Sequence, residues 1–383
     1  MTEVKTKKVL IFSFTYFPFA GGAEVALREI TDRIGGFEFD LITAKISQDL
    51  PNFEKIGNIA VYRVGQGNKL DKPFYPIRAF LFSRKLHKKN QYSLVWAMMA
   101  SWAGIAVLLF KLLNPRVKYL LTLQEGDSEE FLRKRTWFWR PFYELIYKKA
   151  DHIQAISRWL EQRAKDYGYK GDVSVVPNGV DLEKFKIQNS KFKIKRELNI
   201  KDNTKIIFTA SRLVEKNDIE TLIRAFKILV SDILISSFLI IAGGGGLEDK
   251  LKKLVLGLGI QDKVFFLGQL SPDEAWKYYS IADIFVRPSL SEGFGNSFIE
   301  AMAASLPIVA TPVGGILDFL EDRKTGLFCR VKDPRDLADK IKMIFENKEL
   351  CRTIRENGLR LAREKYDWNM IAEKIKTIIV ELI

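Results

Sequence analysis

The chain alternates short apolar runs with stretches of helical spacing, and this alternation runs through the sequence twice. An apolar run of about five residues between polar ones is typical of a strand buried in a parallel sheet. Residues with helical spacing follow most of these runs, as at 23–34 and 219–230. The pattern predicts doubly wound, parallel α/β sheets. The predicted strands cover 8–12, 39–43, 60–64, 94–97, 117–123, 152–156 and 173–176, and then 205–209, 237–242, 264–267, 284–287 and 308–310.

The second series of strands begins after a polar, lysine-rich stretch at 178–202, which we interpret as a junction. A chain of 383 residues is long enough for two domains of roughly 100–200 residues each. We therefore predict a first domain over residues 1–180 and a second over 181–365. Since doubly wound sheets bind ligands at the carboxyl ends of their strands, two facing domains of this kind would form a cleft there.

Composition excludes several other classes of protein. The chain is 47% apolar and 28% charged, which is ordinary for a globular protein and excludes disordered, collagen-like and coiled-coil chains. Two cysteines and two histidines cannot supply a disulfide framework or a Cys/His zinc site, and they favour a reducing compartment. The uncharged stretch 94–110 is shorter than the roughly 20 residues of a membrane-spanning helix, so we interpret it as a buried strand, a loop and a helix start.

The first strand follows a polar N-terminus without the apolar leader of a secretory signal, so we predict a cytoplasmic protein. The net charge of +14 is concentrated towards this end. Residues 1–172 carry 28 Lys/Arg and 18 Asp/Glu, against 33 and 29 in residues 173–383. Basic clusters lie at 84–89 and 133–149, and the second is mixed with tryptophan and phenylalanine. A solvated helix face, an anionic membrane surface and nucleic acid are the open explanations, and the aromatic residues favour membrane over nucleic acid.

The segment 292–300 carries the most specific chemical signal. Glu292 and Glu300 enclose two glycines at a predicted loop-to-helix junction, where Ser297 is the expected helix cap. Such a helix start presents backbone N–H groups to an anion or to a hydroxyl-rich ligand. Glu300, about one turn inside the helix, can accept two hydrogen bonds from a diol such as a ribose. The alternative is a capped surface helix with two solvated glutamates.

Two cations follow the predicted strand 205–209. Arg212 and Lys216 are four residues apart, so they can converge on one side of the turn. An Arg fork and a Lys point charge together could neutralise a diphosphate. The alternative is a pair of ordinary surface cations.

Two glycine turns also follow predicted strands. The run 243–246 permits close approach of the backbone to a ligand. It has neither the spacing of a dinucleotide-binding motif nor the Lys and Ser/Thr of a P-loop. The turn at Gly21 and Gly22 is a weak signal for a phosphate or sugar contact, with a plain tight turn as the alternative.

Further motifs accompany these segments in a fixed order. In chain order they are Gly21-Gly22, Pro177-Asn178-Gly179-Val180-Asp181, Arg212 with Lys216, 243–246, Phe266-Leu267-Gly268, 282–289, 292–300, 301–304, 307–311 and Gly314-Gly315. The set resembles the retaining GT-B glycosyltransferases of family GT4, the glycosyltransferase group 1 proteins. The resemblance covers nearly the whole chain and is strongest in 173–330.

The resemblance implies the GT-B fold, which has two facing Rossmann-like domains and a C-terminal helix, here 366–383, that packs back on the first domain. It implies a UDP- or GDP-sugar donor, retention of configuration, and no metal or other cofactor. The residues matching Arg212 and Lys216 hold the diphosphate, the one matching Glu292 contacts the transferred sugar, and the one matching Glu300 binds the ribose. Further donor contacts are implied at Phe294, Gly295, Asn296, Gly243, Gly244, Leu267, Gly21 and Gly22.

The sequence departs from the family in two places. The family often has a histidine after a strand of the first domain, near the donor sugar, whereas the match here reads Leu121-Thr122-Leu123-Gln124-Glu125-Gly126-Asp127. Gln124, Glu125 and Asp127, with Asn178, are therefore the candidates for contacts with the sugar or the acceptor. Asn217 replaces the common glycine after the lysine, and we expect only a local change of the backbone.

We therefore expect a hexosyltransferase-type enzyme that passes a sugar to an acceptor hydroxyl in polysaccharide or glycolipid biosynthesis. A carbohydrate or lipid-linked acceptor, peripheral docking on the cytoplasmic membrane face and no nucleic-acid partner fit the basic first domain. One alternative is a phosphorylase or sugar-phosphate synthase of the same fold. The other is a non-catalytic protein that binds nucleotide sugars or nucleic acid, against which the complete set Arg212, Lys216, Glu292 and Glu300 argues.

Overall fold

The computed structural model of the chain describes residues 7–19, 21–68, 71–186, 191–197, 200–201, 204–232 and 236–383. The chain divides into two compact units, Met1–Asn178 with Trp368–Ile383 (unit 1) and Gly179–Asp367 (unit 2). The chain leaves unit 1 after Asn178, where the sequence predicted a boundary after residue 180. The lysine-rich stretch interpreted as a junction belongs to unit 2 beyond Asn178.

Fourteen strands and fourteen α-helices form within the described residues. In chain order the strands are β1 Lys7–Phe12, β2 Phe37–Ala44, β3 Phe53–Ile56, β4 Ile59–Val64, β5 Leu94–Met98, β6 Lys118–Leu123, β7 His152–Ala155, β8 Val173–Val175, β9 Lys205–Ala210, β10 Ser237–Ala242, β11 Val264–Phe266, β12 Ile284–Arg287, β13 Ile308–Ala310 and β14 Leu327–Phe328. The helices are α1 Gly22–Arg33, α2 Asp71–Asn90, α3 Trp102–Leu113, α4 Glu129–Thr136, α5 Arg140–Lys148, α6 Arg158–Asp166, α7 Lys191–Glu197, α8 Ile219–Asp232, α9 Glu248–Gly257, α10 Pro272–Ile281, α11 Asn296–Ala303, α12 Pro334–Glu346, α13 Lys348–Lys365 and α14 Trp368–Leu382.

Unit 1 is built on an eight-stranded sheet in the order β3-β4-β2-β1-β5-β6-β7-β8. Its neighbouring strands run parallel except for β3, which pairs antiparallel with β4 at one edge. Helix α14 packs against α1, because the residues Trp368, Ile371 and Ile375 recur at helical spacing and are buried in the core of this unit. The last helix of the chain is therefore part of unit 1.

Unit 2 is built on a six-stranded parallel sheet in the order β11-β10-β9-β12-β13-β14. The winding direction reverses between β9 and β12, which is the topological switch point where open α/β sheets bind ligands. The loops that follow these two strands are therefore neighbours. The Leu290 N–H, after β12, donates a hydrogen bond of 2.7 Å to the Lys216 carbonyl, after β9.

The predicted fold class, two doubly wound α/β sheets, is confirmed. The uncharged stretch 94–110 forms β5 and the first part of α3, as predicted. No helix among the described residues combines the length and apolarity needed to cross a membrane. The two edge strands β3 and β14 were not predicted from the sequence.

Candidate active site

The loop that carries Arg212 lies directly against the glycine turn that follows β10. The Leu213 N–H donates to the Gly244 carbonyl over 2.9 Å. A Cβ atom on Gly243, whose φ is +128°, would lie 1.8 Å from the Ser211 carbonyl oxygen, and one on Gly245 would lie 2.4 Å from that of Leu213. The glycines are therefore required by the contact between two stretches of backbone. The prediction from the sequence was that these glycines let the backbone approach a ligand closely.

Arg212 and Lys216 are carried by this loop. The Arg212 side chain is exposed, and Lys216 is half-buried in a short 3-10 turn, Glu215–Asn217. The buried Asn217 amide donates a hydrogen bond of 2.7 Å to the Arg212 carbonyl. Asn217 therefore adds a side-chain contact that the glycine expected at this position cannot make, and it braces the segment between the two cations.

Arg287, the last residue of β12, was missed as a site residue. Its side chain is 8% exposed and forms an ion pair with Glu292. It also donates to the Ser297 hydroxyl over 2.7 Å and to the Ser289 hydroxyl over 3.0 Å. Burial lowers the pKa of Arg287 to about 10, so the guanidinium stays protonated at neutral pH. A cation at the end of an otherwise apolar strand, five residues before an acid, is the signal that could have identified it.

Helix α11 begins one turn before Glu300, but Ser297 does not cap it. The capping position is held by Gly295, with φ +96°, and the helix runs from Asn296. Ser297 lies inside the first turn, where its hydroxyl accepts from Arg287. The prediction of Ser297 as the cap is wrong, because the left-handed backbone at Gly295 turns the chain into the helix one residue before Asn296.

Glu300 is held by a buried tyrosine. The Tyr279 hydroxyl donates to Oε2 of Glu300 over 2.7 Å. Burial raises the pKa of Glu300, and the Tyr279 hydrogen bond opposes part of that rise. Burial also raises the pKa of Tyr279, so Tyr279 stays a donor. Since Glu292 is also largely buried, the alternative of two solvated glutamates is wrong.

The other donor candidates of unit 2 follow the same strand ends. Phe294 is 1% exposed and packs its ring against Phe319 and Tyr366, so its side chain belongs to the core of unit 2. Asn296 opens α11. Leu267 comes directly after β11 and donates its N–H to the Ile241 carbonyl over 2.9 Å. With Gly243 and Gly244, these residues lie at the carboxyl edge of the unit 2 sheet.

In unit 1, Gly21 and Gly22 form the start of α1. The Gly21 N–H donates to the Glu24 carboxylate over 2.7 Å, and the same carboxylate accepts from the Thr15 hydroxyl. Both glycines are exposed. The turn is therefore a helix start with its own internal brace, at the carboxyl edge of the sheet beside β1.

Gln124 and Asn178 form a reciprocal amide pair. Asn178 donates to Gln124 over 3.0 Å, and Gln124 donates back over 3.3 Å. Asn178 is buried. The side chain at the position where the family often has histidine is therefore fixed in orientation by its neighbour.

Glu125 and Asp127 shape the loop after β6. The Glu125 carboxylate accepts backbone N–H bonds from Ala100 and, over 3.0 Å, from Gln124, and burial raises its pKa. The buried Arg163 guanidinium donates to the Asp127 carbonyl over 2.5 Å and to the Glu125 carbonyl over 3.3 Å. Glu125 therefore braces this loop with both carboxylate oxygens. Across the described part of the chain, no three His, Cys, Asp or Glu side chains form a group that could hold a metal ion.

Each unit thus gathers its candidates at one sheet edge. Unit 2 brings together the loop with Arg212 and Lys216 and the segment with Glu292 and Glu300, through the Leu290–Lys216 hydrogen bond. Unit 1 places the α1 start and the loop after β6 at the carboxyl ends of its own strands. Each unit is therefore a Rossmann-like domain whose candidate residues lie at the carboxyl ends of its strands.

Comparison with known proteins identifies the family. The family described as "Glycosyl transferases group 1" matches residues 190–361, and "Glycosyltransferase Family 4" matches residues 20–184. The chain belongs to the group 1 glycosyltransferases. An uncharacterised glycosyltransferase of Methanocaldococcus jannaschii is 28% identical over 390 residues, which cover 96% of each chain.

Solved structures of similar fold extend over both units. Sucrose-phosphate synthase from Thermosynechococcus elongatus has a TM-score of 0.86 at 22% identity, with 98% of this chain and 99% of that chain covered. HepE of Anabaena in complex with UDP and glucose has a TM-score of 0.81 at 20% identity, with 98% and 100% covered. At this level of identity the likeness concerns the fold.

Proposed function

We propose that this glycosyltransferase transfers a hexosyl group from a nucleoside-diphosphate sugar to an acceptor hydroxyl, and that unit 2 holds the donor. The observation that carries the proposal is the pairing of two loops at the unit 2 switch point. One loop carries Arg212 and Lys216, and the other carries Glu292, fixed by Arg287, and leads to Glu300. Cations beside two anchored carboxylates fit a diphosphate that lies between two sugars.

Charge stabilisation of the departing diphosphate is the main chemical task. Arg212, Lys216 and the N–H groups at the start of α11 would supply preorganised donors for that charge. Glu292 would accept hydrogen bonds from the transferred sugar, and Glu300 from the ribose diol. Two cations of the chain can do this without a metal, so we propose metal-independent transfer.

The stereochemical course we propose is retention. The bond from the sugar C1 to the leaving phosphate oxygen breaks, and the bond from C1 to the acceptor oxygen forms on the same face. The acceptor proton passes to an oxygen of the leaving diphosphate, so no protein carboxylate becomes covalently attached. This route follows from the family resemblance. It is tested by the anomeric proton signal of the product in NMR, where an inverted product would refute it.

The donor base is a uracil or a guanine in this proposal. HepE, which shares the fold, was solved with UDP and glucose, and this favours UDP. A thermal-shift screen with UDP-, GDP- and ADP-sugars decides the question, because a ligand that binds the folded state raises the unfolding temperature. Activity that persists after EDTA treatment is expected. Activity restored only by an added divalent metal would refute metal independence.

The diphosphate assignment is tested by Arg212→Ala and Lys216→Ala. Removing one preorganised donor of this kind costs about 3–4 kcal/mol of transition-state stabilisation, so kcat/KM should fall roughly 10²–10³-fold. Arg335→Ala removes an exposed cation of α12 and serves as the matched control. Near-wild-type turnover in either loop variant would overturn the assignment.

The acceptor we propose is lipid-linked or at a membrane surface on the cytoplasmic side. Residues 131–142, the basic–aromatic segment, include Trp137 and Phe138, which are 75% and 72% exposed between α4 and α5. Arg133 and Arg135 lie just before them, in the last turn of α4. Exposed aromatic rings beside cations fit the headgroup region of an anionic bilayer.

Vesicle flotation tests the membrane proposal. Binding to vesicles that contain phosphatidylglycerol is expected at low salt, and the double variant Trp137→Ser/Phe138→Ser should lose most of it. The control is Leu112→Ser/Leu113→Ser, since these side chains of α3 are 50% and 58% exposed but lie outside the basic–aromatic segment. Equal loss in both variants, or no binding by the wild type, would refute membrane docking through this segment.

A further inference from the structure

A second concave site lies at the opposite edge of the unit 2 sheet, at the amino ends of its strands. It is a cavity of about 530 Å³, which is within the usual range for small-molecule sites. Lys205 begins β9, and Asp283 directly precedes β12. We name it the basic cavity, and its lining includes Lys195, Lys205, Asp283, Phe345, Lys348, Cys351, Arg352 and Arg355.

The basic cavity has a strong excess of positive charge. Five of its lining residues are Lys or Arg, and Asp283 is the single carboxylate among them. Asp283 is already engaged, because one oxygen lies 3.2 Å from the Lys205 ammonium and the other accepts the Ile206 N–H over 2.8 Å. Its charge therefore cannot balance the remaining cations.

Two of these cations have no acidic partner among the described residues. Lys348 begins α13 and Arg352 lies about one turn further along. Both side chains are exposed and form no ion pair with any residue that the structure describes. Arg355, one turn further along, donates to the neutral Ser305 carbonyl over 2.8 Å. Like charges gathered around a concavity repel one another, and a bound anion relieves that repulsion.

An aromatic ring completes the wall. The Lys205 ammonium lies 5.6 Å from the centroid of the half-buried Phe345 ring. The site therefore offers a flat apolar surface beside its cations. Because the site is concave, it suits a small molecule better than the plane of a bilayer.

The basic cavity is separate from the donor residues. It begins at the amino end of β9, whereas Arg212 follows its carboxyl end. Six residues of strand at a rise of about 3.3 Å place the two about 20 Å apart. A ligand of the basic cavity is therefore not the diphosphate held by Arg212 and Lys216.

We propose that the basic cavity binds a small soluble molecule that carries a multiply charged phosphate group. Lys348, Arg352 and Arg355 contact the phosphate oxygens, and the Phe345 ring faces the remainder of the ligand. This binding does not depend on the proposed donor site, and neither proposal fails with the other.

Cys351 provides a reporter inside the basic cavity. It is half-buried there, whereas the other cysteine, Cys329, is 2% exposed and burial raises its pKa to about 12. A thiol reagent should therefore label Cys351 alone in the folded protein. Burial raises the pKa of Cys351, and the charges of Arg355 and Lys205 oppose part of that rise. A bound anion therefore both shields the thiol and reduces its thiolate fraction.

The probe is inorganic tripolyphosphate, with sodium chloride at equal ionic strength as the reference. At about ten times the Kd, roughly nine-tenths of the protein is occupied, and Cys351 labelling should slow about tenfold. Protection no greater than that by sodium chloride would overturn the proposal. Protection by phosphatidylglycerol vesicles but not by tripolyphosphate would assign the cations to lipid headgroups and would also overturn it.

Matched variants locate the effect. Lys348→Gln/Arg352→Gln should raise the tripolyphosphate Kd about tenfold or more, because two charge-assisted contacts are lost. Lys332→Gln/Arg335→Gln, exposed and outside the lining, should leave it unchanged. Arg212→Ala/Lys216→Ala should also leave the protection intact, and loss of protection in that variant would place the tripolyphosphate in the donor site and refute the proposal.

Discussion

Replacing Arg287 by methionine should destabilise unit 2 by removing one partner of a buried ion pair. The Arg287 side chain is 8% exposed, pairs with Glu292 and donates to two serine hydroxyls. Its lowered pKa of about 10 keeps it charged at neutral pH, so the substitution leaves Glu292 as an uncompensated buried carboxylate.

Loss of one partner from such a pair costs about 3–5 kcal/mol. Glu292 retains 13% side-chain exposure, which lets water relieve part of the cost and favours the lower end of that range. The double variant Arg287→Met/Glu292→Gln should recover most of the loss, because no buried charge then remains unpaired.

Exposure of the Cys329 thiol during urea titration measures unit 2 by itself. Cys329 lies in the buried core of this unit, and a Cys351→Ser background removes the other thiol. This readout avoids treating a chain of two units as a single two-state transition. For a slope of about 2 kcal/mol/M, the midpoint should fall by roughly 1.5–2.5 M urea.

Arg335→Met is the control, since an exposed arginine should change stability by less than about 0.5 kcal/mol. An Arg287→Met cost below about 1 kcal/mol would refute the reasoning, as would a double variant no more stable than the single one. Either result would mean that Glu292 does not depend on Arg287.

Three further outcomes are expected. Donor binding requires the Glu300 carboxylate, so affinity is full above its pKa and falls as the pH drops through it; because burial raises that pKa, calorimetry should show the fall beginning at a higher pH than for an ordinary glutamate. Tyr279→Phe removes a hydrogen bond that lowers the pKa of Glu300, so donor affinity should then fall at a still higher pH. Glu300→Gln should abolish the pH dependence of donor affinity, and a wild-type affinity that does not change with pH would contradict this prediction. Gly243→Ala should cost about 2–3 kcal/mol in the Cys329 assay, whereas Gly246→Ala, whose Cβ meets nothing within 4 Å, should be nearly neutral, and equal costs would refute the backbone argument. Asn217→Ala should cost about 1–2 kcal/mol and raise the KM for the donor, and an unchanged KM would show that the brace does not position the cations.

The fold could be predicted from the sequence because its central strands are buried on both faces. β5 is a continuous apolar run, and β1 is one after its two lysines; that pattern is typical of strands in a parallel sheet. β3 was missed because its residues alternate between exposed and half-buried positions at the sheet edge, so the strand needs little apolarity. β14 has only two residues, too few for any periodic pattern.

The site could be predicted only in part, because sequence motifs mark positions but not supporting contacts. Glu292 and Glu300 were selected by their spacing, whereas Arg287 was missed because it ends an otherwise apolar strand that was predicted to serve only the core. Glu125 was a candidate for a sugar or acceptor contact because it follows β6. In the structure its carboxylate accepts hydrogen bonds from backbone amides instead. These contacts are set by how the strand ends and the loops after them fold, so the spacing of the residues marks candidates without specifying which atoms they meet.

The loop that carries Arg212 packs against main-chain atoms of the turn after β10. This contact is possible because Gly243 and Gly245 have no side chains. Replacing Arg212 or Lys216 changes the charge at the surface but leaves this contact between two backbone segments unchanged. Many amino acids at positions 212 and 216 could therefore change the anion preference of the loop, whereas one added methyl group at Gly243 would displace the loop itself.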